Sequence, residues 1–65
     1  MYKNLNIELA RVGWNIIRLS QETGIKYQTL ITKLQGHSEF KFDECLAIKK
    51  AIGCKIPLEV LFLRQ

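Results

Sequence analysis

Apolar residues recur along the chain at the three- and four-residue spacing of amphipathic helices, and no segment alternates as a strand would. The first such series is Leu5, Leu9 and Val12. It predicts a helix that Asn4 caps and that Gly13 ends. Four more segments fit a helix in the same way, so the pattern indicates an all-α protein.

Two of these segments lie on either side of a glycine in the middle of the chain. Asn15 can cap the second helix, because its short polar side chain precedes the segment IIRLSQET. Gly24 follows where a helix commonly ends in a left-handed residue. A third helix is then predicted with Leu30 and Leu34 as its buried stripe, and Gly36 terminates it.

The C-terminal third of the chain predicts two more helices. The segment FDECLAIKKAI has acidic residues in its first turn and lysines in its last turn, as the helix dipole prefers, and Gly53 ends it. Pro57 opens a short last helix, PLEVLF, since proline is favourable at a first helical position. The apolar residues expected in the core of this region are Phe40, Phe42, Cys45, Leu46, Ile48 and Ile52.

Length and composition agree with one small globular domain, residues 1–65. Hydrophobic residues make up 48% of the 65 residues, and the predicted connections are short, so we expect a compact five-helix bundle. No apolar run approaches the roughly 18 residues that a membrane-spanning helix needs. The N-terminus also lacks the pattern of a signal peptide, so a cytoplasmic protein is expected.

Residues that carry catalysis or bind metals are sparse. Cys45 and Cys54 share no CxxC spacing, and the only histidine, His37, lies in a different segment, so no metal site is predicted. We expect Cys45 to be buried and Cys54 to be partly exposed. The sequence has no Ser–His–acid set and no glycine-rich phosphate loop. We therefore expect no enzymatic activity, no cofactor and no small-molecule substrate.

Charge and the central glycine favour a nucleic-acid partner. The formal net charge of +4 suits a polyanion, either nucleic acid or a membrane surface, but the lysines are too dispersed to form one membrane-binding face. A helix-turn-helix needs a small residue in a tight turn, an apolar residue after it and apolar contacts between the helices. Leu19, Gly24, Ile25 and Leu30 meet those demands.

From Leu19 to Phe62, the chain resembles the phage Cro and repressor family of XRE-type helix-turn-helix regulators. The blocks LSQETGIKYQTLITKLQG, SEF, DECLAIKKAIG and IPLEVLF follow the family's order and spacing. This resemblance implies a lambda-repressor-like fold, with a recognition helix at about residues 26–35 in the major groove of DNA. The function that it implies is sequence-specific binding of double-stranded DNA by a transcriptional regulator.

The resemblance also implies which residues contact DNA. It places base-reading side chains at Tyr27, Gln28 and Thr32. Their chemistry agrees, since glutamine can form two hydrogen bonds with adenine, and threonine can bond a base or touch the thymine methyl. The other contacts expected on the helix, at helix starts and in the following loop, many of them to phosphates, are Asn15, Lys26, Thr29, Lys33, His37, Ser38 and Lys41.

The chain departs from the family at four positions. Ile16 replaces a glutamine that often grips a phosphate, and Ser20 replaces the alanine that faces the turn. Lys26 and Lys41 stand where a serine or threonine usually caps the third and fourth helices. Each lost cap costs roughly 0.5–2 kcal/mol. In return, each lysine adds positive charge where phosphates would approach.

The C-terminal segment suggests how the chain meets other proteins. Leu58, Val60, Leu61, Phe62 and Leu63 are more apolar residues than one short helix can bury. We therefore expect a homodimer on DNA through this segment, since such regulators usually pair on a two-fold symmetric site. The alternative is a protein-interaction module, such as an antitoxin or an adaptor, that uses the same apolar patch.

Overall fold

Five helices and no strand make up the computed structural model, which describes residues 1–65. The helices are α1 Lys3–Val12, α2 Ile16–Thr23, α3 Tyr27–Leu34, α4 Phe42–Ile52 and α5 Leu58–Leu61. This confirms the predicted all-α five-helix bundle. No helix combines the length and the apolar character that crossing a bilayer requires.

Most helix ends follow the local signals in the sequence; the exceptions are the start of α1 and the start of α5, where Pro57 is the residue before the helix and not its first residue. The Oδ1 of Asn15 accepts a hydrogen bond of 2.8 Å from the Arg18 N–H, so Asn15 caps α2 as predicted. Gly24 ends α2 with φ at 76°, a left-handed conformation that glycine adopts without steric cost. Asn4 does not cap α1, which begins one residue earlier. Its Nδ2 instead donates to the carbonyl of Val60 at 2.8 Å and ties α1 to α5.

The core draws one fully buried side chain from each helix. These residues, each with 0% of its surface exposed, are Leu5, Leu19, Leu30, Ile48 and Leu61. Helix α2 packs against both α3 and α4, and Leu19 is its buried core residue. The predicted buried stripe of α3 therefore centres on Leu30, while Leu34 is half-buried at the edge of the core.

A cluster of three aromatic rings packs at the core. Tyr2, Phe40 and Phe62 meet edge to face, with ring centroids 5.4 Å apart for Tyr2–Phe40 and 5.2 Å for Phe40–Phe62. This geometry is the favoured one for aromatic pairs. It joins the start of α1, the loop before α4 and the end of α5, which are far apart in the sequence.

Two predicted core residues of α4 face outward instead. Phe42 is 71% exposed and Leu46 is 44% exposed. The reason is helical phase, because the face that buries Ile48 and Ile52 turns residues 42 and 46, one turn apart, away from the core. Phe40, two residues before Phe42, is the aromatic side chain that packs inward.

The burial of the two cysteines is the reverse of the prediction. Cys54 is buried at 7% exposure, because its N–H bonds the Lys49 carbonyl at 3.1 Å and draws it under the end of α4. Cys45 is only half-buried. Burial raises the pKa of the Cys45 thiol, and the nearby Glu44 carboxylate raises it further. The thiol is therefore protonated at neutral pH and a poor nucleophile.

Trp14 is half-buried at the edge of the core. The guanidinium carbon of Arg18 lies 4.9 Å from the centroid of the Trp14 ring, in cation–π contact. The side chain therefore joins α2 to the chain that precedes it.

The pair Phe40 and Phe42 tests the packing of this region directly. Phe40→Ala should lower the free energy of unfolding by about 3 kcal/mol, since it removes two edge-to-face contacts and leaves a cavity. Phe42→Ala should change it by less than about 0.5 kcal/mol, since that ring is mainly in solvent. Urea denaturation followed by circular dichroism measures both values. Equal losses for the two variants would show that the phase of α4 is wrong.

Candidate nucleic-acid interface

Side-chain hydrogen bonds hold the turn between α2 and α3. The Ser20 hydroxyl donates to the Ile25 carbonyl at 2.6 Å, and the Thr23 hydroxyl donates to the Leu19 carbonyl at 2.8 Å. The Ile25 N–H donates in turn to the Thr23 Oγ1 at 3.3 Å. Ser20 thus helps to fix the turn through its hydroxyl group. These bonds fix the turn from which α3 begins.

The face that α3 turns away from the core is polar and open. Tyr27 is 47% exposed and Gln28 is also exposed, while Thr29 and Thr32 are half-buried. The Thr32 hydroxyl donates to the Gln28 carbonyl at 2.9 Å, so its oxygen keeps lone pairs for an outside donor. A shallow depression of about 190 Å³ lies here, lined by Gln28, Thr29, Thr32, Lys33 and Ser38. All five residues belong to the predicted DNA-contacting set.

Lys33 lines this depression, but its charged end points elsewhere. Its side chain is only 9% exposed, and its ammonium group donates a hydrogen bond to the carboxylate of Glu44 on α4. The predicted role of Lys33 was a phosphate contact. In the structure, its charge is already engaged in an ion pair that holds α3 against α4. We therefore leave Lys33 out of the candidate phosphate contacts.

The Glu44 carboxylate has a second partner. It accepts a hydrogen bond of 2.8 Å from the Lys41 N–H, and so compensates in part for the cap that a lysine cannot provide. Burial acts to raise the pKa of Glu44. The hydrogen bonds from Lys33 and from the Lys41 N–H, together with the charges of both lysines, outweigh burial and place the pKa below its ordinary value of 4.5.

Free positive charge flanks the open face of α3. Lys26, just before α3, and Lys41, just before α4, are exposed and have no acidic side chain within ion-pair distance. Neither forms a side-chain cap, as the sequence predicted. Arg18 is paired with Glu22 at 2.8 Å and offers less free charge. The two unpaired lysines are therefore the stronger candidates for phosphate contacts.

The remaining predicted residues lie at the margins of this surface. Asn15 is exposed at the start of α2, and its side-chain oxygen is used by the cap described above. His37 and Ser38 are exposed in the loop after α3. We call the surface formed by Lys26, Tyr27, Gln28, the two threonines, this loop and Lys41 the α3 face.

Sequence reasoning missed two residues that support the α3 face. Glu44 could have been found, because a glutamate three residues after a helix-start residue is a capping signal. Arg64 could not, since its partners are remote in sequence. Its guanidinium donates to the Gly36 carbonyl at 3.4 Å and lies 3.7 Å from the Glu39 carboxylate. It thereby ties the C-terminal end to the loop that follows α3.

Comparisons of the chain with known protein families, with curated proteins and with solved structures found no match. The resemblance to phage regulators therefore rests on the succession of sequence blocks alone.

The depressed pKa of Glu44 predicts a pH dependence of stability. A carboxylate with a lowered folded-state pKa stabilises the fold above its unfolded pKa, and that contribution is lost as the pH falls through the folded-state value. The wild-type protein should therefore lose stability below about pH 4.5 more steeply than Glu44→Gln. Glu59→Gln, at an exposed unpaired residue, should retain the wild-type profile. Urea titrations between pH 2.5 and 7 measure the difference, and parallel curves for wild type and Glu44→Gln would contradict it.

Proposed function

We propose that this chain is a sequence-specific, double-stranded DNA-binding transcriptional regulator, and that α3 is its recognition helix. The observation that carries the proposal is the open polar face of α3, with Tyr27 and Gln28 exposed in its first turn. The N-terminal residues of such helices are the ones that reach base edges in the major groove. The proposed site of action is the cytoplasm.

The side chains of the α3 face suit base edges in the major groove. Gln28 offers one acceptor and two donors, which match N6 and N7 of adenine. Thr32 can accept a hydrogen bond while its methyl group contacts a thymine methyl, and the Tyr27 ring offers a second apolar contact. No carboxylate lines the depression itself, so the groups around Gln28 and Thr32 are free of negative charge.

Phosphate contacts come, in this proposal, from the two helix starts around α3. Lys26 and Lys41 stand at these starts without acidic partners, so neutralising a phosphate breaks no ion pair within the protein. Asn15, His37 and Ser38 contribute uncharged or weakly charged groups at the edges. Such contacts fix the orientation of the recognition helix and carry no sequence information themselves.

A second copy of the chain is the proposed protein partner. Leu61 and Phe62 pack into the core, so the exposed part of the C-terminal apolar segment is Val60, at 42%, and Leu63, at 49%. The hydrogen bond from Asn4 to the Val60 carbonyl places Val60 beside α1. One turn after Asn4, Ile7 is 63% exposed and extends the apolar surface. We call Ile7, Val60 and Leu63 the α1–α5 patch.

The same patch is the observation that favours the alternative function, an antitoxin or adaptor that binds a different protein. Ionic strength separates the two functions. Binding through phosphates weakens steeply with salt, whereas an apolar protein contact responds little. Selection of bound fragments from a random duplex pool at two salt concentrations tests the DNA proposal directly. Failure to retain any duplex at low salt would refute it.

Gln28 and Gln21 form a matched pair for testing base recognition. Gln28→Ala should cost on the order of 1–3 kcal/mol on the selected duplex and relax preference at one base position. Gln21→Ala removes the same group from α2, outside the α3 face, and should retain the wild-type preference. Fluorescence anisotropy with the selected duplex and its single-base variants measures both. Unchanged discrimination in Gln28→Ala would exclude this residue as a base reader.

The lysines allow a similar test of the phosphate contacts. Lys26→Ala and Lys41→Ala should each weaken binding to all duplexes alike and reduce the slope of log K against log salt by about 0.9. Lys55→Ala removes an exposed lysine from a different part of the surface, and its slope should equal that of the wild type. Binding isotherms at four or more salt concentrations give the slopes. Equal slopes for all three variants would contradict the assignment.

A further inference from the structure

The outward face of α4 is apolar and lies outside the α3 face. Phe42 and Leu46 are exposed there one helical turn apart, although both side chains are large and apolar. Beside them is an open depression of about 760 Å³, the largest in the molecule, whose lining includes Leu46, Ala47 and Lys49. No proposed DNA contact belongs to this lining. We call the surface the α4 face.

Opposite charges stand at the two ends of the α4 face. Asp43 lines the depression near the start of α4, and Lys50 lines it near the end. Seven residues separate them, which is two helical turns or roughly 10 Å along the axis. Neither has an ion-pair partner within the chain. One oxygen of Asp43 accepts the Glu44 N–H at 3.0 Å, so the other is free for a partner.

We propose that the α4 face binds a second copy of this chain, with the two α4 helices antiparallel across a two-fold axis between Leu46 and Ala47. A strip with a carboxylate at one end and an ammonium group at the other is complementary to itself when it is reversed. The two-fold axis sets Asp43 of each copy opposite Lys50 of the other. Leu46 meets its counterpart at the axis, and the small Ala47 lets the helices approach closely.

Other occupants fit this surface less well. An acidic segment would suit Lys49 and Lys50 but would place carboxylates against Asp43. A basic segment would suit Asp43 but would place positive charges against the two lysines. A small ligand would remain largely in water, because one helix and the turn after it supply the whole lining. A parallel arrangement of two copies would set lysine against lysine. The antiparallel pair satisfies both ends and covers Phe42 and Leu46.

The α4 face is separate from the α1–α5 patch, and the proposal does not rest on DNA binding. Two different two-fold interfaces on one chain can join dimers to one another. With both in use, assembly proceeds beyond the dimer as concentration rises. With the α4 face alone, it stops at two copies.

Sedimentation equilibrium of the full chain over a concentration series tests the proposal. Leu46→Glu should abolish association through α4, since it sets two carboxylates against each other at the axis. Asp43→Lys and Lys50→Asp should each raise the dissociation constant roughly tenfold, because symmetry turns two attractive pairs into two repulsive ones. The double variant Asp43→Lys/Lys50→Asp should restore association, since its charges are again complementary. Circular dichroism checks that each variant remains helical.

Val60→Asp/Leu63→Asp is the control, because it disrupts only the α1–α5 patch. In this background the single charge variants should still weaken association, and the double charge variant should still restore it. The proposal is overturned if wild-type protein stays monomeric at every concentration, which would assign the α4 face to a different partner. It is also overturned if Leu46→Glu associates like the wild type, or if the double variant is as weak as the single ones. Duplex-binding measurements are independent of all three results.

Discussion

One carboxylate sets the orientation of α3 relative to α4. Glu44 sits between the Lys33 ammonium group and the Lys41 N–H, so a single side chain joins α3, the loop after it and the start of α4. A partly buried ion pair is not an efficient source of stability, because desolvating the charges offsets much of their attraction. The contribution of the Lys33–Glu44 pair is to the orientation of α3. A hydrogen-bonded ion pair has a defined geometry, so it helps to fix the face that α3 turns outward.

The small core makes such directional contacts important. Each helix contributes one fully buried residue, and α5 has only four residues. A chain of this length buries a modest fraction of its surface, so its stability margin is thin. The aromatic cluster of Tyr2, Phe40 and Phe62 and the hydrogen bond from Asn4 to α5 hold the ends of the chain onto the bundle. The surface of α3 remains available because these contacts lie elsewhere.

The features that the sequence predicts correctly are those governed by neighbouring residues. The left-handed glycine after α2 and the Asn15 cap depend on groups a few positions away, and both were predicted. The errors involve partners that are distant in the chain or the rotational phase of a helix. Asn4 bonds Val60 instead of capping α1, and Phe42 faces solvent because Ile48 and Ile52 set the phase of α4.

In the candidate site, too, the sequence predicts features that depend on nearby residues and misses contacts between distant ones. The sequence located the open polar residues of α3, since apolar spacing shows which side of a helix faces inward. It could not show that Lys33 is paired, because Glu44 lies eleven residues further along on another helix. Arg64 was missed for the same reason, since its contact with the Gly36 carbonyl spans 28 positions. What those two residues do depends on the folded arrangement of the helices.

The hydrogen bonds of Ser20 and Thr23 have a consequence for the thermodynamics of binding. They fix the turn before any partner arrives, so α3 is preorganised. In the proposed DNA complex, docking would then immobilise only side-chain ends, such as the Gln28 amide and the lysine ammonium groups, and no backbone would have to fold on contact. The entropic penalty of that proposed association would be correspondingly small, and its heat-capacity change would reflect the buried contact area with no contribution from coupled folding.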